Sequence, residues 1–591
     1  MREQKRGDFI PIPKEVFRER PPFFPNKESF DLVRGFATNF YRLVKESLPA
    51  IKSESMGDLV LNIENVVKNS VGKRLSEILV QKGYDEQKVS RIQKAICERD
   101  FSSVEMNGDQ DELKTTLGLA LVAERVRSQV FTDTLERMNS EELVSLGMNE
   151  GLRDLIVPLF SGLSSIDTEF VRFRSRALRS EPYLESSIDA VREQQRVIMV
   201  LQHFCEGIEV QGAESLFGDS GEDFVIFLRL LIESYRTVSV SGTAFSDLEM
   251  RERAILVKQA FVQFIKKHPD HSLMFIPKMF SYVETGEGVD LGFDPEIRVL
   301  WQSPEHKKQT EGFMRDSVVF GQSIHRQFPD LITEEEANIE HYRPIVCDDI
   351  GSWGVNMVFR AEGFEDTGTS FLIENRIRTA LTEPIKEMIG SIQGDAKMTE
   401  ISTEKFQHIV KRFLLSHELG HQFYDNPRFK KELGDVYRPI EEHKADLLAA
   451  CGFVDISKED VQSDVDKQEK SVLNLVVLSN ALLCAALSPD GELAAYYHSA
   501  IGILNCASEQ GVFVESDDGN VNVDFEKMNG DFSKFVGERA RNVLKIYQNI
   551  DKTVQNSSEA QNVAERFMTE EPMSIVAKWI HQFREKDNFK K

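Results

Sequence analysis

The chain lacks an apolar run long enough to cross a bilayer, has no cysteine pair spaced as a metal or redox motif, and is short of positive charge. Each absence excludes something. The most apolar stretch, Val472 to Leu487, is interrupted by Asn474, Ser479 and Asn480. It falls below the roughly 18 residues a membrane helix needs, so it reads as a buried core helix and no membrane partner is expected. The six cysteines (Cys97, Cys205, Cys347, Cys451, Cys484 and Cys506) stand singly. That is the pattern of free thiols in a reducing compartment, not of a disulfide framework or a thiolate-held metal. Lysine and arginine number 72 against 97 aspartates and glutamates, a net charge of −25. A nucleic-acid binder needs a basic surface to replace counterions, so the charge argues against nucleic acid and no such partner is expected. Met1 to Lys27 contains no apolar core of the secretory kind, and a cytoplasmic, soluble protein is expected.

What is present is ordinary globular material. Of 591 residues, 41% are hydrophobic and 29% charged, a soluble composition in a chain too long for one hydrophobic core. Residues 1–28 hold Pro11, Pro13, Pro21, Pro22 and Pro25, which predicts an extended arm. Residues 29–267 read as helix after helix, with apolar positions at threes and fours in Leu59–Ile78, Leu113–Leu135 and Ile188–Phe204. Residues 268–397 are richer in glycine and proline. Short apolar runs there, Ile345–Cys347, Asn356–Phe359 and Ser370–Ile373, predict a small sheet. Residues 398–550 return to helices, and 551–591 hold a final helix and a charged tail. The fold class expected is mainly α with a smaller α+β part.

The most informative stretch is His417-Glu418-Leu419-Gly420-His421. Two histidines four positions apart project from one helix face and can share a metal ion, and the glutamate between them can take a proton from water activated there. Phe406, Val410, Phe413 and Leu414 lead at helical spacing into the histidines, so the pair continues an apolar stripe.

A second helix supplies carboxylates. In Arg438-Pro439-Ile440-Glu441-Glu442-His443-Lys444-Ala445-Asp446, Pro439 marks a helix start. Glu442 and Asp446 then lie one turn apart on one face. Catalytic zinc takes two histidines and a glutamate and leaves a position for water. A further carboxylate commonly holds the distal N–H of a ligand histidine. Glu442 fits the ligand role and Asp446 the supporting one. Glu441 is left to orient either a histidine or a substrate amine. One Zn2+ per chain is expected, held by His417, His421 and Glu442, with Glu418 as general base.

The Glu441–Asp446 segment, E-E-x-K-A-D, resembles the second zinc motif of the dipeptidyl-peptidase III family, in which the second glutamate binds zinc. Asn356-Met357-Val358-Phe359, followed by Gly368 and Asn375, resembles the family's peptide-binding strand, and Asn356 is its candidate substrate-binding residue. Asn505, Glu509 and Gly511 resemble the helix after the metal site, where the family carries a transition-state histidine. Tyr496 occupies that place here and His498 lies two residues on, so either could donate to a developing oxyanion. The similarity spans about residues 340–515 in a divergent form. The first motif is the five-residue H-E-x-x-H, against the family's usual six-residue H-E-x-x-G-H. The resemblance implies a two-lobed metallopeptidase, its zinc site on helices facing an interlobe cleft, that hydrolyses oligopeptides and releases dipeptides from the N-terminus. Two other readings stay open, a regulatory zinc protease cleaving a specific protein partner and a non-enzymatic helical scaffold with a structural or lost zinc. Oligomeric state is left open.

Overall fold

The computed structural model of the chain describes residues 27–37, 40–47, 55–81, 83–98, 110–164, 188–236, 247–285, 288–353, 361–364, 368–386, 402–424, 427–452, 464–486, 494–516, 519–552, 562, 564–566 and 570–585. Most of the proline-rich arm, the Asn356–Phe359 run and the charged end therefore lie outside the described residues. The chain divides into two compact units, residues 1–304 with 348–358, and residues 305–347 with 359–591. The stretch 268–397 is shared between them. Among the described residues no helix is long and apolar enough to cross a membrane.

The first unit is built from helices, among them Met56–Gln81, Gln110–Arg137, Glu150–Ser164, Ile188–Gln211, Gly221–Ser234 and Asp247–Lys267. They lead into an antiparallel hairpin of β1 (Leu273–Thr285) and β2 (Gly288–Trp301), in register from Leu273 opposite Trp301 to Thr285 opposite Gly288. Phenylalanines join helix to hairpin, with Phe224 5.6 Å from Phe264 and 5.9 Å from Phe275, ring centre to ring centre. These two strands are absent from the sequence-based expectation. Leu273, Met274, Phe275 and Ile276 are all buried, so both faces are covered over this start of β1 and the period-two signal disappears there. Pro277 and a bulge between Lys278 and Phe280 interrupt the pattern further.

Strand β3 (Arg343–Trp353) pairs antiparallel with β2 through its second half and parallel with β5 (Thr369–Ile373) through its first. The sheet order is β1-β2-β3-β5-β4, with β4 at Ala361–Phe364. Ile345–Cys347 and Ser370–Ile373, expected as strands, fall within β3 and β5.

The second unit packs helices α1 (Pro304–Gln327), α2 (Thr403–Gly420), α3 (Tyr437–Gly452), α4 (Asp464–Ala485), α5 (Ala494–Glu509), α6 (Ser533–Lys552) and α7 (Ser574–Glu585). One continuous apolar core runs through them and includes Phe313, Phe413, Leu447, Val476, Leu504 and Val543. Helix α4 carries residues 472–485 of the apolar segment, with Val472, Val476, Ala481 and Leu482 buried in that core. A minor hairpin pairs Phe513–Glu515 with Val521–Val523.

Helix α2 hides a charge that periodicity does not reveal. Lys411 is buried and lies 3.1 Å from Glu374, just after β5, and His306 on α1 lies 3.5 Å from the same carboxylate. Burial opposes ionisation of Glu374, yet the His306 hydrogen bond and the Lys411 charge outweigh it and bring the pKa down to about 2. The folded pKa lies below the ordinary 4.5, so the ion pair contributes its full stability above that value and loses it as the pH falls towards 2. The expected result is that Glu374→Gln lowers the melting temperature near neutral pH, and that its deficit against the wild type shrinks steadily through this acid range. Thermal melts followed by circular dichroism check it. A deficit that does not change with pH contradicts the assignment.

Candidate metal centre

Helix α2 starts at Ser402, whose side chain accepts the Lys405 N–H, and runs to Gly420 with His421 as its C-cap still in right-handed helical geometry. The four-residue spacing therefore holds to the last turn. His417 and His421 sit side by side, ring centres 4.9 Å apart, with their Nε2 atoms at 3.3 Å. Phe406, Val410 and Phe413 are buried along the approach and Leu414 is half-buried.

Helix α3 begins at Tyr437, two residues before Pro439, so the proline stands within the first turn, where no intrahelical N–H is needed. From Ile440 to Gly452 every residue is buried. Glu442 Oε2 lies 3.3 Å from His417 Nε2 and 3.8 Å from His421 Nε2. Asp446 Oδ1 lies 2.9 Å from His417 Nδ1, and Glu441 Oε1 lies 3.2 Å from His421 Nδ1. Glu441 thus lies against a histidine. Gly420 makes the close crossing possible, since a Cβ there would stand 2.8 Å from the Ala445 Cα.

These distances allow a test of whether a metal ion fits. A carboxylate accepts, so each Nδ1 carries a hydrogen, and a metal that displaces the Nε2 proton meets a lone pair there. The two Nε2 atoms and Glu442 Oε2 converge, all within 4.8 Å of one another. Glu442 Oε2 is buried and makes no hydrogen bond to any described residue. Ligands about 2.0–2.1 Å from a tetrahedral ion stand about 3.3 Å apart, which is the spacing of two of the three pairs. Lys444, a buried ammonium, pairs with Glu441, while Glu442 and Asp446 lie against the histidines, a concentration of carboxylates that suits a dication. The residues fit zinc.

The titration behaviour follows from the same neighbours. Burial would lower the pKa of both histidines. Asp446 and Glu442 nevertheless carry His417 well above 6.5, and Glu441 with Glu442 raise His421. Burial opposes ionisation of both glutamates, but Lys444 and His421 bring Glu441 down to about 2, while His417 and His421 lower Glu442. Tyr496, on α5, has its pKa pushed well above 10 by the Glu442 charge first, then by burial, with Glu418 adding to it. Its phenol stays protonated. His498 lies two residues further, its ring 5.3 Å from that of Tyr497. Cys451 is a buried neutral thiol, its pKa pushed up to about 12 chiefly by burial. It is not part of the converging group.

Several residues around the site were not anticipated from sequence. Lys444 reaches Glu441 at 2.6 Å and Tyr547 donates to it at 2.6 Å. Ser499 donates to Asp446 at 2.6 Å. His443, next to Glu442, is held well below its usual pKa by burial and by the Arg539 charge. Only Lys444, three residues from Glu441 on one helix, left a local signal. The candidate Asn356 lies outside the described residues. Asn505 and Gly511, singled out by the resemblance, have structural settings. Asn505 bonds the backbone of Glu571 and Met573, and Gly511 takes a positive φ just after α5.

No protein-family model and no curated protein matches this chain. Among solved structures it is similar to that of DPP III from Caldithrix abyssi, at 15% identity and a TM-score of 0.48, covering 92% of this chain and 96% of that one. It is also similar to dipeptidyl-peptidase III from Corallococcus sp. strain EGB, at 14% identity and a TM-score of 0.44, covering 66% of each.

Proposed function

We propose that this chain is a zinc-dependent peptidase acting on oligopeptides. The observation that carries the reading is the convergence of His417 Nε2, His421 Nε2 and Glu442 Oε2, with Glu418 between the two histidines. Bound there, zinc would polarise a scissile carbonyl and acidify water. Glu418 takes the proton of the attacking water and returns it to the leaving amine. Tyr496 donates to the developing oxyanion from a phenol that remains protonated at every working pH. His498 is set aside for this role because two helical residues turn the chain by about 200°, away from the Tyr496 side. Asp446 and Glu441 hold the distal N–H groups of the histidines. The resemblance of E-E-x-K-A-D to the dipeptidyl-peptidase III motif supports release of dipeptides from the N-terminus, and Asn356 is the candidate for holding the peptide backbone. Six free thiols suit a reducing cytoplasm.

Metal analysis combined with cleavage of a dipeptidyl-arylamide tests this. One zinc per chain and dipeptide release are expected. A chain that retains no zinc, or binds it and cleaves no peptide, overturns the reading. The raised histidine pKa values add a directional expectation. A proton on Nε2 competes with the metal, so zinc affinity at a pH of about 8 exceeds that at about 6. Chelator competition measures it, and an affinity that does not change across that range contradicts the ligand assignment.

A further inference from the structure

We infer that helix α6, which supplies no candidate ligand, positions both histidines by fixing the direction of every hydrogen bond behind them. The inference rests on the zinc reading above and concerns what holds the imidazoles in their ligating form.

Two chains of hydrogen bonds run from α6 to the site. In the first, Arg539 Nε donates to His443 Nε2 at 2.8 Å. Arginine has no acceptor, so that nitrogen must accept and the hydrogen of His443 sits on Nδ1. His443 Nδ1 lies 3.3 Å from Ser499 Oγ and donates to it, and Ser499 donates in turn to Asp446 Oδ2 at 2.6 Å. Asp446 Oδ1 then accepts from His417 Nδ1 at 2.9 Å. The lone pair of His417 Nε2 is left for the metal. In the second, Tyr547 donates to Glu441 Oε2 at 2.6 Å while Lys444, which can only donate, lies 2.6 Å from Oε1. Glu441 thus faces donors on every side, His421 Nδ1 among them.

Both anchors are themselves fixed. Arg539 is held by both oxygens of Glu570 at 2.8 Å. Tyr547 is fully buried, and the Lys444 ammonium lies 4.9 Å from its ring centre. Gly502 on α5 keeps the first chain open, since a Cβ there would stand 2.7 Å from Arg539 Nη2 and 2.8 Å from His443 Cε1. Low-dielectric surroundings strengthen such a chain and make each broken link costly. Arg539 and Tyr547 are thus positioning residues acting through Asp446 and Glu441.

The test is zinc affinity by competition with a chromophoric chelator, read as two double-mutant cycles on the full chain. Tyr547→Phe and Arg539→Gln are each expected to weaken zinc binding about 10- to 100-fold, the usual cost of losing an outer-shell partner. Combining Tyr547→Phe with Glu441→Gln, and Arg539→Gln with Asp446→Asn, should add little to the single losses, because each pair acts through one carboxylate. Arg541→Gln, on the same helix but bonded to Asp330, should leave affinity unchanged. Additive losses in both cycles, or an Arg541→Gln loss equal to the others, would overturn the inference. If one variant fails to fold, the other cycle decides. A wild type that binds no zinc defeats the functional reading instead, so the two failures are distinguishable.

Discussion

Glu418→Gln is expected to retain one zinc per chain and to hydrolyse peptides about 10²- to 10⁴-fold more slowly, the range removed with a general base. The substitution keeps size and polarity but deletes the proton acceptor. The contacts that define the metal centre join His417 to Asp446 and Glu442, and His421 to Glu441. The loss should therefore appear in kcat, with KM little changed. Zinc content, kcat and KM on a dipeptidyl-arylamide check it together. Substantial turnover by the variant would sink the mechanism, whereas loss of zinc would show that Glu418 holds the site together instead of acting on substrate.

Gly420→Ala should damage the site without touching any polar group. Its new Cβ would stand 2.8 Å from the Ala445 Cα and 3.0 Å from the Ala445 carbonyl oxygen. Both are backbone atoms, so no side chain can swing aside, and α2 and α3 must separate. Overpacking of this kind costs about 1–3 kcal/mol. The same separation pulls His417 and His421 away from Glu442, and a misplacement of about 1 Å can cost about 10²-fold in rate. A lower melting temperature, weaker zinc binding and a drop in activity of that order are expected together. A variant with wild-type zinc affinity and activity would show that the crossing tolerates the methyl group, against the geometry.

The two substitutions differ in how readable their positions are from sequence. Glu418 is marked by its place between two histidines. Gly420 fills an unspecified slot of the motif, and its importance arises from Ala445 across the helix pair, 25 positions away in the chain. The same division runs through the molecule. Helices of the 29–267 region were legible because their apolar residues recur on one face. Strands β1 and β2 were not, because Leu273–Ile276 is covered on both faces and Pro277 breaks the run. The pairing of Lys411 with Glu374, which also takes His306, left no local signal, because the partners come from the end of β5 and from α1.

By itself, then, the sequence determined what one helix can present. His417 with His421, and Glu442 with Asp446, are one turn apart, and a helical turn places such residues on a common face whatever surrounds them. Which histidine nitrogen meets which carboxylate was decided only by the crossing of α2 and α3. The supports behind those carboxylates were decided further away still, by Ser499 on α5 and by Arg539 and Tyr547 on α6. No local periodicity encodes such pairings. They exist because a buried charge must find its donors wherever the packed chain delivers them.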